Sequence, residues 1–506
     1  MKKSFKYIGI SLLAISVLNS CKKSFIEVEP TGSTQLESNY YQTPQQVFNG
    51  LVSVYDPLGS QTGSTYSNKV GLLNAASDDC GVGGGSATDQ PVWTAWDNFT
   101  ITVGQGPQGD LWGRNYVGIY RANLLLNKMN GVAGLSDAVR TRYAAEVKYL
   151  RAYYYFDLVR LFKNVPLITA AIPAADLYNV LQAAPADVYA QIEKDLNEAI
   201  AEPNLPNMVP AATEGGRVTK GAAKALLGKV LLYEQKWAAA ATALSDVNGT
   251  PGVQNPTYGY KLVANFPDIF RPSNKFNTES IFEIVHTAQA RQDWNSWGAF
   301  EGNIMTQMIG PRNYNGPIYV TGWGFNPITQ SLITAMKGGN DPRYKYTMAN
   351  IDSIVNAAPG RSYEVGYQNT GYFVEKYAPK LEYRSNLGGL GDLNYPVDYI
   401  EIRLADTYLM EAEALLQSGG NPTRAAALLN AVRARVGLAP TTATLDNVYN
   451  ERRMELATEG HRFFDLVRTG RAAANLPGFV AGKNEILPIP LGELNNTKLV
   501  QNPGYN

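Results

Sequence analysis

Neither sign of charge is in excess in this sequence: its 506 residues carry 44 Lys and Arg against 44 Asp and Glu. Without a basic field there is nothing to draw in nucleic acid, and no such partner is expected. Cysteine and histidine are almost absent, at two residues each. Cys21 and Cys80 cannot supply a disulfide framework or a thiolate metal cage. His286 and His461 stand far apart and give little ground for a metal site or for catalysis. Neither metal nor cofactor is expected. Beyond the first 20 residues, no stretch reaches the roughly 18 apolar residues that a membrane helix needs. Catalytic signatures are missing too. There is no G-x-S-x-G elbow, and the run Gly81 to Gly85 lacks the Lys-Ser/Thr ending of a phosphate loop. Gly104, Gly106 and Gly109 match a dinucleotide fingerprint in letters only, because no acid occurs from Leu111 to Ser136 and no second strand follows. A hydrolase would need two carboxylates facing across a cleft. Asp78 and Asp79, adjacent in sequence, are poorly suited to that, and Asp293, Asp392 and Asp398 have no evident partner.

The N-terminus is specific where the rest is bland. Lys2, Lys3 and Lys6 precede an apolar run from Ile8 to Leu18, too short for a bilayer and right for a signal peptide. The run closes at Leu18-Asn19-Ser20-Cys21, which resembles the lipobox of bacterial lipoproteins. That resemblance implies removal of residues 1–20 and acylation of Cys21; the polar segment over 21–32 then reads as a tether joining membrane lipid to a single body from 33 to 506. Several acyl chains anchor stably where one does not. Cys80 is then left without an intramolecular partner.

Helical periodicity dominates the body. Tyr143, Val147, Leu150, Tyr154, Leu158 and Leu161 recur at spacings of three and four, predicting an amphipathic helix over 142–162. Val188, Ile192, Leu196 and Ile200 mark another, opened by Pro185. Thr219 is placed to cap a helix running to Tyr233, and a second helix from Trp237 to Leu244 follows at once. Leu227, Gly228, Leu231, Ala240 and Leu244 fit a tetratricopeptide pair, in which Gly228 and Ala240 would let the two helices approach. A looser copy runs from Tyr408 through Glu411-Ala412-Glu413-Ala414 to Leu428-Leu429. The helix through Tyr153 and the helix through Val188 are a candidate third pair. Glu451, Glu455 and Glu459, interleaved with Arg452, Arg453 and Arg462, read first as a charge-laced helix and second as a buried Arg–Glu network. The fold class expected is mainly α: a tetratricopeptide-like helical scaffold with long irregular loops and a few short strands, such as 281–285. A break near 249–255 divides the body into halves of about 33–250 and 255–506, which are not expected to fold alone.

What the sequence has in plenty is aromatic residues, including 31 Tyr and 7 Trp, a count that a tyrosine-rich core would give as well as a contact surface. Sugar rings present apolar C–H faces that stack on aromatics, and their hydroxyls need polar partners at the edges. Trp112 and Trp237 fall in framework helices. Two W-x-x-W pairs lie in loops: Trp93 with Trp96, and Trp294 with Trp297. Around them stand Asp78, Asp79, Asp89, Asn98, Arg291, Asp293, Asn295, Arg312 and Asn313, with Tyr66 and Tyr314 as further rings. The ligand-binding candidates are therefore Trp93, Trp96, Trp294, Trp297, Tyr66, Tyr314, Asp78, Asp79, Arg291, Asn295 and Arg312. The competing reading is that these rings anchor loops to the scaffold, as Trp96 with Phe99 would. Loops 60–109 and 287–320 are expected to converge on one face, away from the tether.

An ordered series of motifs carries a family resemblance across the chain. It begins with Cys21-Lys22-Lys23-Ser24-Phe25 and Val28-Glu29-Pro30, then Leu111-Trp112, Tyr116 and Ala122-Asn123. Leu150-Arg151-Ala152-Tyr153-Tyr154-Tyr155-Phe156-Asp157-Leu158 and Thr219-Lys220-Gly221-Ala222-Ala223 follow. The C-terminal half adds Ile402-Arg403-Leu404-Ala405-Asp406, Asn430-Ala431-Val432-Arg433-Ala434-Arg435, Glu459-Gly460-His461-Arg462-Phe463-Phe464-Asp465 and Leu487-Pro488-Ile489-Pro490. The series resembles the SusD/RagB-like nutrient-binding outer-membrane lipoproteins of Bacteroidota. The resemblance implies a non-enzymatic cell-surface protein with a tetratricopeptide-like scaffold and a loop-built ligand face. Its ligand would be a nutrient, a glycan or oligosaccharide above all, and its partner a SusC-like TonB-dependent transporter. Trp323, within Gly322-Trp323-Gly324, resembles a framework element of that family. A tetratricopeptide-type lipoprotein that binds protein or peptide is the alternative reading.

Overall fold

The structure, a computed structural model, describes residues 40–61, 66, 68–289, 301–384, 387 and 389–505. The signal peptide, Cys21 and the tether expected before residue 33 lie outside the described residues.

Helices build the body. The main ones are α1 (Pro44–Tyr55), α2 (Pro91–Asp97), α3 (Gln108–Lys128), α4 (Asp137–Phe162), α5 (Pro185–Ala201), α6 (Lys220–Tyr233), α7 (Trp237–Asn248), α8 (Leu404–Gln417), α9 (Pro422–Arg435), α10 (Leu445–Leu456) and α11 (Arg462–Arg468). Their starts are written locally. Thr43 and Gln46 form a reciprocal capping box on α1. Thr219 caps α6 through the Ala222 amide, and α5 opens on Pro185. The strands are short: β1 (Val165–Pro166), β2 (Gln182–Ala183), β3 (Ser280–Ile284), β4 (Met348–Asn350), β5 (Tyr372–Val374) and β6 (Tyr399–Arg403). They pair antiparallel as β1–β2, β3–β6 and β4–β5. None of the helices is long and apolar enough to cross a membrane, among the described residues.

α4–α5, α6–α7 and α8–α9 pack as successive helix hairpins. Gly228 in α6 sits against Leu244 of α7: a methyl group added there would lie 2.4 Å from the Leu244 Cγ. Ala240, one turn before Leu244, is fully buried. The atoms nearest Gly228 thus belong to Leu244 and not to Ala240, but the glycine serves the close helix approach that its spacing predicts. The helix over 142–162 departs from its predicted amphipathic character. From Ala145 to Phe162 every side chain of α4 except Lys148 and Arg160 is buried, so this is a central helix wrapped on all sides. Its polar residues are paired across it: Arg151 grips Asp195 of α5 at 2.7 and 2.8 Å, and Asp157 receives Lys69 at 2.9 Å. One hydrophobic cluster takes in residues from both sides of 249–255, from Val47 to Tyr505.

The charges of α10 do not pair with one another along the helix. Glu455 binds Arg343 at 2.7 Å and Arg403 at 2.5 Å, and also Arg435. Glu459 binds Arg403 at 2.8 Å and Lys376 at 2.6 Å. Glu279, just before β3, joins Arg403 and Arg435 at 2.8 Å each. Burial raises the cost of the Glu455 carboxylate, yet Arg435, Arg403 and Arg343 together outweigh it and hold the group well below the usual carboxylate range. The buried network, not the surface ladder, is what forms. Its cations come from elsewhere in the chain, because a carboxylate without solvent needs several donors converging from different directions. His461 and His286 are buried and neutral, each pushed down to about 4 by burial foremost.

Candidate functional site

Four loop segments meet on one side of the body: 80–90, 310–313, 322–328 and 364–368. Cys80 bridges Ile328, Gly83 bridges Phe325, and Arg312 bridges Gly322. The Gly84 amide donates to the Gly324 carbonyl at 2.9 Å, and the Tyr367 amide to the Gly84 carbonyl at 2.9 Å. Glycine is required where these backbones touch. A methyl group on Gly322 would lie 2.2 Å from the Gly310 carbonyl carbon, and one on Gly83, whose φ is +74°, would lie 2.2 Å from the Gly324 oxygen. The segments from 60–109 and 287–320 do come together here, joined by 322–328 and 364–368.

The sequence candidates fare unequally at this junction. Trp93 and Trp96 are no platforms. Trp93 is 0% exposed and Trp96 1%, and a ring without accessible surface has no face to offer a sugar. Trp93 packs on Phe325 at 5.4 Å and occupies the space that Gly71 leaves open. Trp96 packs edge-on against Phe463 at 5.9 Å, the anchoring role weighed against ligand contact. The reason is α2 itself: positions 93 and 96 share one face, and that face turns inward. Tyr314 is also buried, against Tyr319 at 5.5 Å. Asp78 and Asp79 are structural. Asp78 receives both Arg462 nitrogens at 2.7 and 2.9 Å, and Asp79 receives Arg453 at 2.8 Å. Burial raises the Asp79 carboxyl and Arg453 opposes it. Trp294, Trp297, Arg291, Asp293 and Asn295 lie outside the described residues.

Tyr66 and Arg312 remain at an open surface. Tyr66 is partly exposed and holds a left-handed backbone, φ 50°, a conformation that a bulky residue rarely adopts without compensation. Its ring meets Trp323 edge-to-face at 5.5 Å. Trp323, which the family resemblance places in the framework within Gly322-Trp323-Gly324, keeps part of its surface in solvent. Those flanking glycines are the signal: they exist so that the backbone can lie against Gly310, which leaves the tryptophan side chain to reach the surface. Around the two rings stand polar groups held in place. The Gly85 amide donates to Asp89 at 2.7 Å, and the Arg312 guanidinium lies beside Gly85. Arg312 pairs with Glu364 at 3.1 Å, and Asn313, itself at φ 46°, donates to the same carboxylate. The Tyr66 phenol is raised by burial and then by Asp89, so it stays protonated and can donate. Glu364 and Trp323 were not among the sequence candidates. This arrangement can stack an apolar ring face and satisfy hydroxyls at its edge. No cluster of three or more His, Cys, Asp or Glu suited to a metal occurs among the described residues.

Comparison with known proteins agrees with this architecture. The SusD family matches residues 242–484, and a family described as starch-binding associating with outer membrane matches residues 25–232. A solved laminarin-binding SusD-like protein is 48% identical, with a TM-score of 0.87, and the match covers 92% of this chain and 100% of that one. Surface glycan-binding protein A from Bacteroides thetaiotaomicron, solved with laminarihexaose, is 29% identical with a TM-score of 0.82 over 91% of this chain and 99% of its own. SusD-like protein P25 of Formosa agariphila is 25% identical over 89% of this chain and 87% of its own. A mainly helical fold of stacked hairpins, two family matches running from residue 25 to residue 484, and near-half identity over the whole of a solved relative leave one assignment: the chain belongs to the SusD family.

Proposed function

We propose that this protein captures a laminarin-type glucan at the bacterial surface and holds it without cleaving it. The observation that carries the reading is the Trp323–Tyr66 pair, two rings packed on the core that keep part of their surface in solvent and are edged by Asp89, Arg312 and Asn313. A neutral sugar chain suits it. Stacking supplies shape-selective contact, and each hydroxyl finds a charged or amide partner already fixed by the protein, so little ordering is lost on binding. The relative that shares 48% identity is a laminarin-binding protein, which supports glucan over other nutrients. Acylated Cys21 would tether the body to outer-membrane lipid, and a SusC-like TonB-dependent transporter would receive the ligand. Among the described residues, the two carboxylates at this surface are already engaged, Asp89 by the Gly85 amide and Glu364 by Arg312 and Asn313, which supports binding over hydrolysis.

Calorimetry with laminarihexaose and with a starch-derived hexasaccharide tests the reading. Wild-type protein is expected to bind the former, with little dependence on salt because a neutral ligand displaces no counterions. Trp323→Ala should weaken binding by about 1–3 kcal/mol, by analogy with bases stacked on aromatic side chains. Equal affinity of wild type and Trp323→Ala would reject the platform. Binding of a peptide library without any glycan would move the protein to the scaffold reading.

A further inference from the structure

A second cleft, beside Gly81, is lined by Asp97, Asn98, Gln330, Gln368, Asn475 and Pro477 and encloses about 460 Å³. Its polar lining is unlike the surface around Trp323. Most of it is neutral amide and hydroxyl, able to donate and accept in the same place, with two carboxylates, Asp78 and Asp97, set among them. Asp78 is neutralised by Arg462 and Arg453. Asp97 has no cation within ion-pairing distance among the described residues. One of its oxygens, Oδ2, accepts from the Gln368 Nε2 at 2.8 Å.

Gln368 is built to hold that carboxylate. Its Oε1 accepts from the Val82 amide at 2.7 Å, and its backbone sits at φ 52°, in the left-handed region. Gly81 is glycine for the same reason, since a methyl group there would lie 2.4 Å from the Gln368 Oε1. A residue in the left-handed region and a glycine that leaves room for its side chain together hold Gln368, whose remaining hydrogen bond orients Asp97. Burial first, against the Gln368 bond, pushes the Asp97 carboxyl up to about 6. A carboxylate that is costly to bury and lacks a cationic partner gains most from neutral hydroxyl donors supplied by a ligand.

We infer that this cleft is a second sugar-binding site, one or two rings wide, in which Asp97 accepts hydroxyl hydrogens and Pro477 and Pro327 form the apolar wall. Its volume falls in the range of small-ligand sites, and its mixed donors and acceptors match the vicinal hydroxyls of a pyranose. The inference rests on reading the ligand as a carbohydrate, but it uses none of the residues of the Trp323 surface.

The test is titration with laminarihexaose in a Trp323→Ala background, which isolates the cleft. Residual binding is expected, weaker than that of wild type. Adding Asp97→Asn should reduce it about tenfold or more, the loss of a charged acceptor. In the Trp323→Ala protein the residual binding should also fall between pH 7.5 and pH 5, and that slope should vanish with Asp97→Asn. An unchanged denaturant midpoint and circular dichroism spectrum of the Asp97→Asn protein verify folding. No residual binding in Trp323→Ala would overturn the second site and leave the first standing. So would residual binding indifferent to Asp97→Asn and to pH. Sensitivity to Asp97→Asn with none to Trp323→Ala would overturn the platform and keep the cleft, and absence of any glycan binding by wild type would overturn both.

Discussion

The α6–α7 hairpin and the junction of loops around Trp323 both depend on glycine, and for different ends. Gly228 removes a side chain so that two regular helices can touch, and what it receives is Leu244. Gly83, Gly322 and Gly324 remove side chains so that irregular backbones can cross, and what this frees is Trp323. Close packing in the first case hides apolar surface; in the second it exposes it. The loop junction is held by backbone hydrogen bonds between segments and by the ion pair of Arg312 with Glu364. The scaffold is held by a continuous apolar core and by charges buried beyond the reach of water. One region is made to resist change and the other to present a surface, so their variants should fail in different assays.

The largest effect is expected at Glu455. Glu455→Gln leaves Arg343, Arg403 and Arg435 facing one another in the interior. Removing one partner of a buried pair costs about 3–5 kcal/mol, read as a lowered denaturant midpoint, while affinity per folded molecule is retained. A loss below about 1 kcal/mol, the worth of an exposed pair such as Arg140 with Asp137, would erase the distinction between buried and exposed charge. Gly228→Leu comes next, at about 1–3 kcal/mol of stability from overpacking against Leu244. Trp323→Ala should invert the pattern, with ligand affinity lowered as described above and the denaturant midpoint nearly unchanged. A large stability loss there would make Trp323 scaffold after all.

The smallest effect concerns pH. His286 is held neutral by burial, with its pKa pushed down to about 4 from an ordinary 6.5. The unfolded chain therefore binds the proton more readily across that interval. The contribution is complete above about pH 6.5 and is lost as pH falls toward 4. His286→Gln, which can still meet Gln61, should flatten the stability difference between pH 6.5 and 4 relative to wild type. Identical slopes in the two proteins would show that His286 does not carry this dependence.

Much of the scaffold was legible because helix information is local. Thr219 caps the helix that begins beside it, Pro185 starts the next one, and the spacing of Gly228, Ala240 and Leu244 specifies a hairpin within two turns of each helix. The polar contacts were less legible. Glu455 and Arg452 look like ladder partners on one helix, yet Arg452 goes to Asp406 and Asp465, and Glu455 takes its cations from three other segments. Asp78 and Asp79 look like loop acids free for ligand, and they close onto Arg462 and Arg453 from near the C-terminus. In each case a charge was visible and its partner was not, since burial decides which pairs are worth forming.

The sequence by itself determined that this is a helical body of hairpins in the SusD family, because caps, periodicity and ordered motifs act over a few residues at a time. Which aromatics face solvent was decided only in three dimensions. Trp93 and Trp96 sit in a loop region by sequence, but α2 turns both into the core, where burying two indoles stabilises more than either could contribute outside. Tyr66 and Trp323 are distant in sequence and meet beside the junction where four glycine-bearing segments cross. A binding surface assembled from such crossings has no local period to read: its residues are chosen by what the backbone leaves uncovered.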